Sequence, residues 1–170
     1  FSTFKVLIME ETLAKKAWIQ SFSEDTDGKV KIQFVNGNEY YGEYKDDKIC
    51  GNGKYIWNDG TVFEGEFKDN MPFGNGIYMN KDKTVQYNGN VCYGVRNGFG
   101  IMEINQPKYY RKYVGCFVNG KRHGDGILYY NKENTMYYKG SWLDGQRHGD
   151  NGTIIYENGN KYVGQWVNDK

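Results

Sequence analysis

The sequence predicts an all-β protein: an elongated single-layer antiparallel sheet of tandem β-hairpins forming a curved groove, with a short helix near the N-terminus. Three observations carry this. An aromatic-x-Gly-x-aromatic motif recurs five times in full and once, the third, with Val for the second ring: YYGEY (40–44), FEGEF (63–67), YNGNV (87–91), YVGCF (113–117), YKGSW (138–142) and YVGQW (162–166). Its central glycines are spaced 23, 24, 26, 25 and 24 residues apart, a period that marks a repeat array. Composition agrees: 16 Tyr and 23 Gly against 2 Pro, with only 38% hydrophobic residues, suit short strands and tight turns better than an aliphatic helical core.

The first 27 residues fit the repeat poorly and read as an N-terminal cap or extension. FKVLI (4–8) reads as a strand, and ETLAKKAWIQ (11–20) has Leu13, Ala17 and Trp18 at helical spacing. From residue 28 to 170 the chain reads as the array, with units starting at 40, 63, 87, 113, 138 and 162, preceded by a degenerate hairpin carrying Val30, Ile32 and Phe34. In a strand, residues i, i+2 and i+4 share a face, so ring, glycine and ring of each motif lie together. A glycine pair follows each motif: Gly51/Gly53, Gly74/Gly76, Gly98/Gly100, Gly124/Gly126 and Gly149/Gly152. These glycines give flat space beside a ring and positive φ in turns. Asx-Gly turns at 36–37, 58–60 and 158–159 join successive hairpins. Roughly twelve strands at about 4.8 Å spacing predict a sheet about 55–60 Å long. The chain starts at Phe1 and stops after a strand bearing Tyr162 and Trp166, which suggests part of a longer protein whose last strand is covered by further repeats or a partner.

FVNGKRHGDGILYY (117–130) places Lys121, Arg122 and His123 among glycines and invites a catalytic or phosphate-binding reading. QRHG (146–149) fills the same slot one unit later, so the stretch reads as a repeated turn. His123 and His148 fall about 9–10 Å apart, two strands removed, with no further ligand to complete a zinc site; no metal is expected. SEDTDGKV (23–30) echoes a calcium loop, but its closing position is Phe34 rather than Glu. Cys50, Cys92 and Cys116 form no CxxC and read as free thiols. No serine, cysteine or carboxylate pair stands out as a catalytic set, so neither enzyme activity nor a cofactor is expected. The formal net charge of +1 gives no strong field for nucleic acid, and no apolar run reaches transmembrane length. Lys48, Arg96, Lys121, Arg122 and Arg147 fall near equivalent turns and are the candidate contacts for acidic lipids or acidic partners.

The pattern Y-x-G-x-W followed by G-x-x-x-G-x-G, at a period near 23 over residues 28–170, resembles the MORN repeat. GNGKYIWNDGTVFEGEF (51–67), NMPFGNGIY (70–78), RNGFGIM (96–102), INQPKYYRKY (104–113), VNGKRHGDGILYYNKE (118–133) and NGNKYVGQW (158–166) are similar, in order, to ciliary MORN proteins of the radial spoke head 10 homologue type. The resemblance implies a non-catalytic scaffold of the ciliary axoneme, placed in the radial spoke head within a large complex. The partners would be other spoke head proteins or another MORN protein, with no nucleic acid; weak membrane contact by a peripheral tether is the alternative. It also implies a partner-binding groove built from Tyr40, Tyr44, Tyr55, Trp57, Phe63, Phe67, Tyr87, Tyr113, Phe117, Tyr138, Trp142, Tyr162 and Trp166. The third unit departs from the pattern, with Val91, Met102 and Ile104 in ring positions, and predicts a shallower groove there.

Overall fold

A computed structural model describes residues 19–170. Thirteen strands follow in chain order: β1 (Ile19–Glu24), β2 (Lys29–Phe34), β3 (Glu39–Lys45), β4 (Lys48–Ile56), β5 (Val62–Lys68), β6 (Met71–Met79), β7 (Val85–Cys92), β8 (Val95–Gln106), β9 (Tyr109–Val118), β10 (Lys121–Tyr129), β11 (Tyr137–Leu143), β12 (Gln146–Ile155) and β13 (Lys161–Trp166). They form one antiparallel sheet in sequence order, and no helix occurs among the described residues. Two compact units divide the chain, one holding residues up to 83 with 91–95, the other 84–90 with 96–170.

The hairpins begin earlier than the expected boundary at residue 28. Ile19–Glu24 is a strand paired with β2, and Phe22 sets its ring edge-on to Tyr44 at 5.3 Å. Nothing in this strand carries the aromatic-glycine motif, so periodicity alone misses it. The strand expected at 4–8 and most of the helix expected at 11–20 lie outside the described residues; Ile19 and Gln20, at the end of that helix, are in β1. DTDG (25–28) forms the β1–β2 turn, where the Asp25 carboxylate accepts the amides of Asp27 and Lys29 at 2.9 and 3.0 Å, an Asx turn.

In the first unit the intra-motif hairpins turn on two residues with positive φ: Asp46–Asp47, Asp69–Asn70 and Tyr93–Gly94. These are type I′ turns, whose twist matches that of the flanking strands. The second and third of these turns are also tied to the preceding hairpin. Asn70 N donates to Ile49 O at 3.0 Å, and Gly94 N to Pro72 O at 2.9 Å. Asn70 is buried, and its side-chain oxygen accepts the Ile49 amide at 2.7 Å. The register shifts between Gly42 and Tyr44 and between Gly65 and Phe67, bulges placed at the motif's glycine.

The second unit repeats the scheme, with turns at Asn119–Gly120, Asp144–Gly145 and Asn168–Asp169. Gly120, Gly145 and Asp169 donate their amides to the carbonyls of Arg96, Arg122 and Arg147. INQPKYYRKY (104–113), an insertion relative to the period near 23, is paired strand. β8 and β9 pair continuously from Gly98↔Phe117 to Gln106↔Tyr109, so the insertion lengthens a hairpin and closes it at Pro107–Lys108. Within each unit the core lies on one sheet face, formed by rings with Val30, Ile32 and Ile49 in the first and Leu128 and Ile154 in the second.

Candidate functional site

The ring face is built by close approach of aromatics to backbone. A Cβ added at Gly53, Gly76, Gly100 or Gly126 would collide with the ring of Tyr40, Phe63, Tyr87 or Tyr113, respectively. The second glycine of each pair is thus a seat for the ring that opens the motif. The ring's hydroxyl then reaches past the bulge: Tyr40 donates to Glu43 O, Tyr87 to Asn90 O, Tyr113 to Cys116 O and Tyr138 to Ser141 O, at 2.6–2.9 Å. The motif's closing ring packs edge-on against the opening ring: Trp142 stands 5.1 Å from Tyr138 and 5.6 Å from Tyr113. Its indole N–H donates to Gly126 O at 3.2 Å, and that of Trp166 to Gly152 O at 3.0 Å. Burial pushes the Tyr55 and Tyr87 phenols up to about 12, and it raises those of Tyr40, Tyr113 and Tyr138 as well.

Of the thirteen positions expected to line a partner groove, Tyr40, Tyr55, Phe63, Phe67, Tyr87, Tyr113, Phe117, Tyr138, Trp142 and Trp166 are buried within the chain. Tyr44 and Trp57 are half-buried, and Tyr162 is 45% exposed. The rings mainly hold successive hairpins together, and little of their area faces outward.

The five basic positions separate into two kinds. Lys48 and Lys121 are exposed on turns, Lys48 standing 3.7 Å from Asp69. Arg96, Arg122 and Arg147 instead lie on the ring face. Arg122 sits over the Trp142 ring at 4.5 Å and Arg147 over that of Trp166 at 4.5 Å; Arg96 is 5.3 Å from Phe117. Each guanidinium donates to the next turn's carbonyl: Arg96 to Gly120 O at 2.9 Å, Arg122 to Gly145 O at 3.2 Å and Arg147 to Asp169 O at 3.0 Å. Cation–π contact and hydrogen bond together make each arginine a staple between consecutive units. Ile49 and Pro72 fill the equivalent slots in the first unit.

A cleft of about 460 Å³ lies in the second unit, where the sequence predicts a shallower groove. Met102, Ile104 and Leu128 form its apolar lining with Tyr113 and Phe117, and Arg96, Arg111, Lys121 and Arg122 supply its charge; no carboxylate lines it. Thinner side chains at the ring positions leave the space, and the extended β8–β9 hairpin walls it with Tyr109 and Arg111. Arg111 lies between the Tyr109 and Tyr130 rings, 4.6 and 4.9 Å from their centres, and donates to Tyr110 O at 2.7 Å. Burial lowers the Arg122 pKa. Sequence reading missed Arg111, Tyr109 and Leu128 as site residues. For Tyr109 and Arg111 the signal was the basic-aromatic run at 104–113, but only its folding as paired strands brings them to the cleft; Leu128 lies on β10, outside that run.

His123 Nδ1 lies 3.7 Å from Asp144 Oδ1, and His148 Nδ1 is buried with no hydrogen-bond partner. Among the described residues no group of three or more His, Cys, Asp or Glu side chains is placed to hold a metal. Cys50, Cys92 and Cys116 are free thiols.

The MORN repeat family model matches residues 40–62, 63–85, 113–135, 138–161 and 162–170, skipping the third unit, where the ring pattern lapses. MORN repeat-containing protein 3 of Xenopus laevis is 36% identical over 103 residues, 59% of this chain. The chain spans about a third of that relative's length, 34%. Among solved structures, the SAS-4 (dCPAP) TCP domain of Drosophila melanogaster, in complex with a proline-rich motif of Ana2 (dSTIL), aligns over 95% of this chain and 97% of its own. Identity there is 12% and the TM-score 0.39, too low to bear on fold or function.

Proposed function

The chain belongs to the MORN repeat family, and from that premise we propose that it is a non-catalytic scaffold of the ciliary axoneme, holding partner proteins in the radial spoke head. MORN repeats are protein-interaction or membrane-binding modules, and the family is generally non-enzymatic. The axonemal assignment is supported by the ordered likeness of residues 51–166 to ciliary spoke head members. The observation that carries the protein-binding reading over the membrane tether is the arginine geometry. Arg96, Arg122 and Arg147 are held on the ring face by rings and carbonyls of their own chain and do not stand on the turn tips, which leaves Lys121, and Lys48 beside Asp69, as the turn cations of the five. Two separated lysines give weak attraction to an anionic bilayer, about 1 kcal/mol each. Partners would be other spoke head proteins or another MORN protein.

Detergent extraction of isolated cilia tests the reading, with immunoblotting of the axonemal pellet and the membrane fraction. Retention in the pellet through detergent and moderate salt is expected. Release with the detergent would move the protein to the membrane and overturn the scaffold. Alanine at Tyr138 and Trp142 is not an interface test, because both are core residues.

A further inference from the structure

We propose that the cleft along β9 is a docking site for a partner protein's segment with acidic ends and an apolar centre. The proposal rests on the protein-interaction reading above and adds the chemistry of what is bound. Arg111 and Phe117 share the ring face of β9, and Phe117 pairs with Arg122. Six residues of strand therefore separate the backbones of the two arginines, about 20 Å at roughly 3.3 Å per residue, and their guanidiniums lie closer than that, Arg122 5.9 Å from the Tyr113 ring and Arg111 4.9 Å from that of Tyr130. Between these basic ends the lining is apolar: Met102 and Ile104 on one side, Leu128 on the other. Lys121 adds an exposed cation at the Arg122 end.

Charge complementarity selects the occupant. All the charged side chains lining the cleft are positive, and the guanidiniums are pinned by rings and carbonyls, so a carboxylate meets donors already in place. A wholly apolar segment would cover the guanidiniums' remaining N–H donors and the Lys121 ammonium without acceptors, and a basic one would be repelled. A carboxylate at each end of a short apolar run matches the basic ends and the apolar surface between them.

Fluorescence anisotropy with the purified protein tests this. The probes are a labelled synthetic peptide with glutamates flanking a Leu/Phe centre, the same peptide with lysines for glutamates, and vesicles of phosphatidylserine in phosphatidylcholine. The acidic peptide is expected to bind and the basic one not. Lys121→Glu, an exposed turn change that leaves the fold intact, should weaken the acidic peptide about tenfold, and Arg111→Glu at the far end should do the same. A circular dichroism melt confirms that each variant is folded. Equal binding of the two peptides, or indifference to both substitutions, overturns the cleft assignment, and axonemal retention would then leave the scaffold reading standing. Vesicle binding that both substitutions abolish, with the peptides unbound, also overturns it and assigns the cleft to lipid.

Discussion

Gly126 has no side chain because the Tyr113 ring occupies the space where one would go. Gly126→Ala must displace that ring and its bond to Cys116 O, an overpacking cost of about 1–3 kcal/mol. Urea denaturation should show the loss, and an unchanged midpoint would mean the ring has room to move. The buried phenols set the alkaline limit. Those of Tyr55 and Tyr87 stand near 12 against an ordinary 10.0, because burial disfavours the phenolate. A group whose folded pKa is raised contributes stability that is complete below its unfolded pKa and lost above it. The denaturation midpoint should therefore hold up to pH 10 and fall between pH 10 and about 12, with tyrosinate absorbance rising alongside. A flat midpoint across that window would show that these rings ionise without unfolding. The ring-over-glycine contact is legible only in part: a motif's ring and its own glycine share a face at i and i+2, but the seat of Tyr113 is Gly126 on the next strand, brought there by the pairing of Gly126 with Gly115. The arginine staples are not legible, because where a guanidinium lands depends on the register of the next hairpin.

In the hairpins, the two-residue turns do more than reverse the chain. Asn70 joins two hairpins twice, through its amide to Ile49 O and its side-chain oxygen to Ile49 N. Asn70→Gly retains the backbone freedom that φ 68° requires and removes only the acceptor. It should cost about 1–3 kcal/mol by leaving a buried N–H unsatisfied, and Asn70→Ala should cost more by adding left-handed strain of about 1 kcal/mol. Equal stability of native and Asn70→Gly proteins in chemical denaturation would remove the side chain from the account. Asn-Gly and Asp-Gly are readable turn signals. Asp46–Asp47, Asp69–Asn70 and Tyr93–Gly94 are type I′ turns with weaker ones, and only the pairing of their flanks reveals them. Likewise the insertion at 104–113 resembles a loop in composition, yet alternating Tyr109, Arg111 and Tyr113 are a strand's two-residue period.

For the whole molecule, a sheet whose strands pair in chain order makes stability local, as in other arrays with nearest-neighbour coupling. Trp142→Ala removes an indole packed on Tyr113 and Tyr138, a loss of about 3–5 kcal/mol. Hydrogen exchange should show protection falling over β9–β13 while β2–β5 hold theirs; a uniform loss would contradict local coupling. The repeat, the all-β class and the hairpin starts were legible from periodicity. Which rings remain open was not, because periodicity assigns a residue to a face without saying how fully its neighbours cover it. The cleft was hidden for the same reason: a lapse in the ring pattern reads as a weaker unit, and its volume depends on the length of the hairpin beside it.

The staples also give the array a polarity. Each arginine reaches forward to the carbonyl of the following turn, and each turn's amide reaches back to the arginine's own carbonyl. A unit thus has a head and a tail that cannot be exchanged. Duplicating a segment of one period, in frame, would recreate every such joint, whereas reordering a plain unit such as that around Pro72 into the stapled stretch would break two. Such a chain lengthens readily by copying its own neighbours and resists shuffling, and its sequence should preserve the order in which its parts were added.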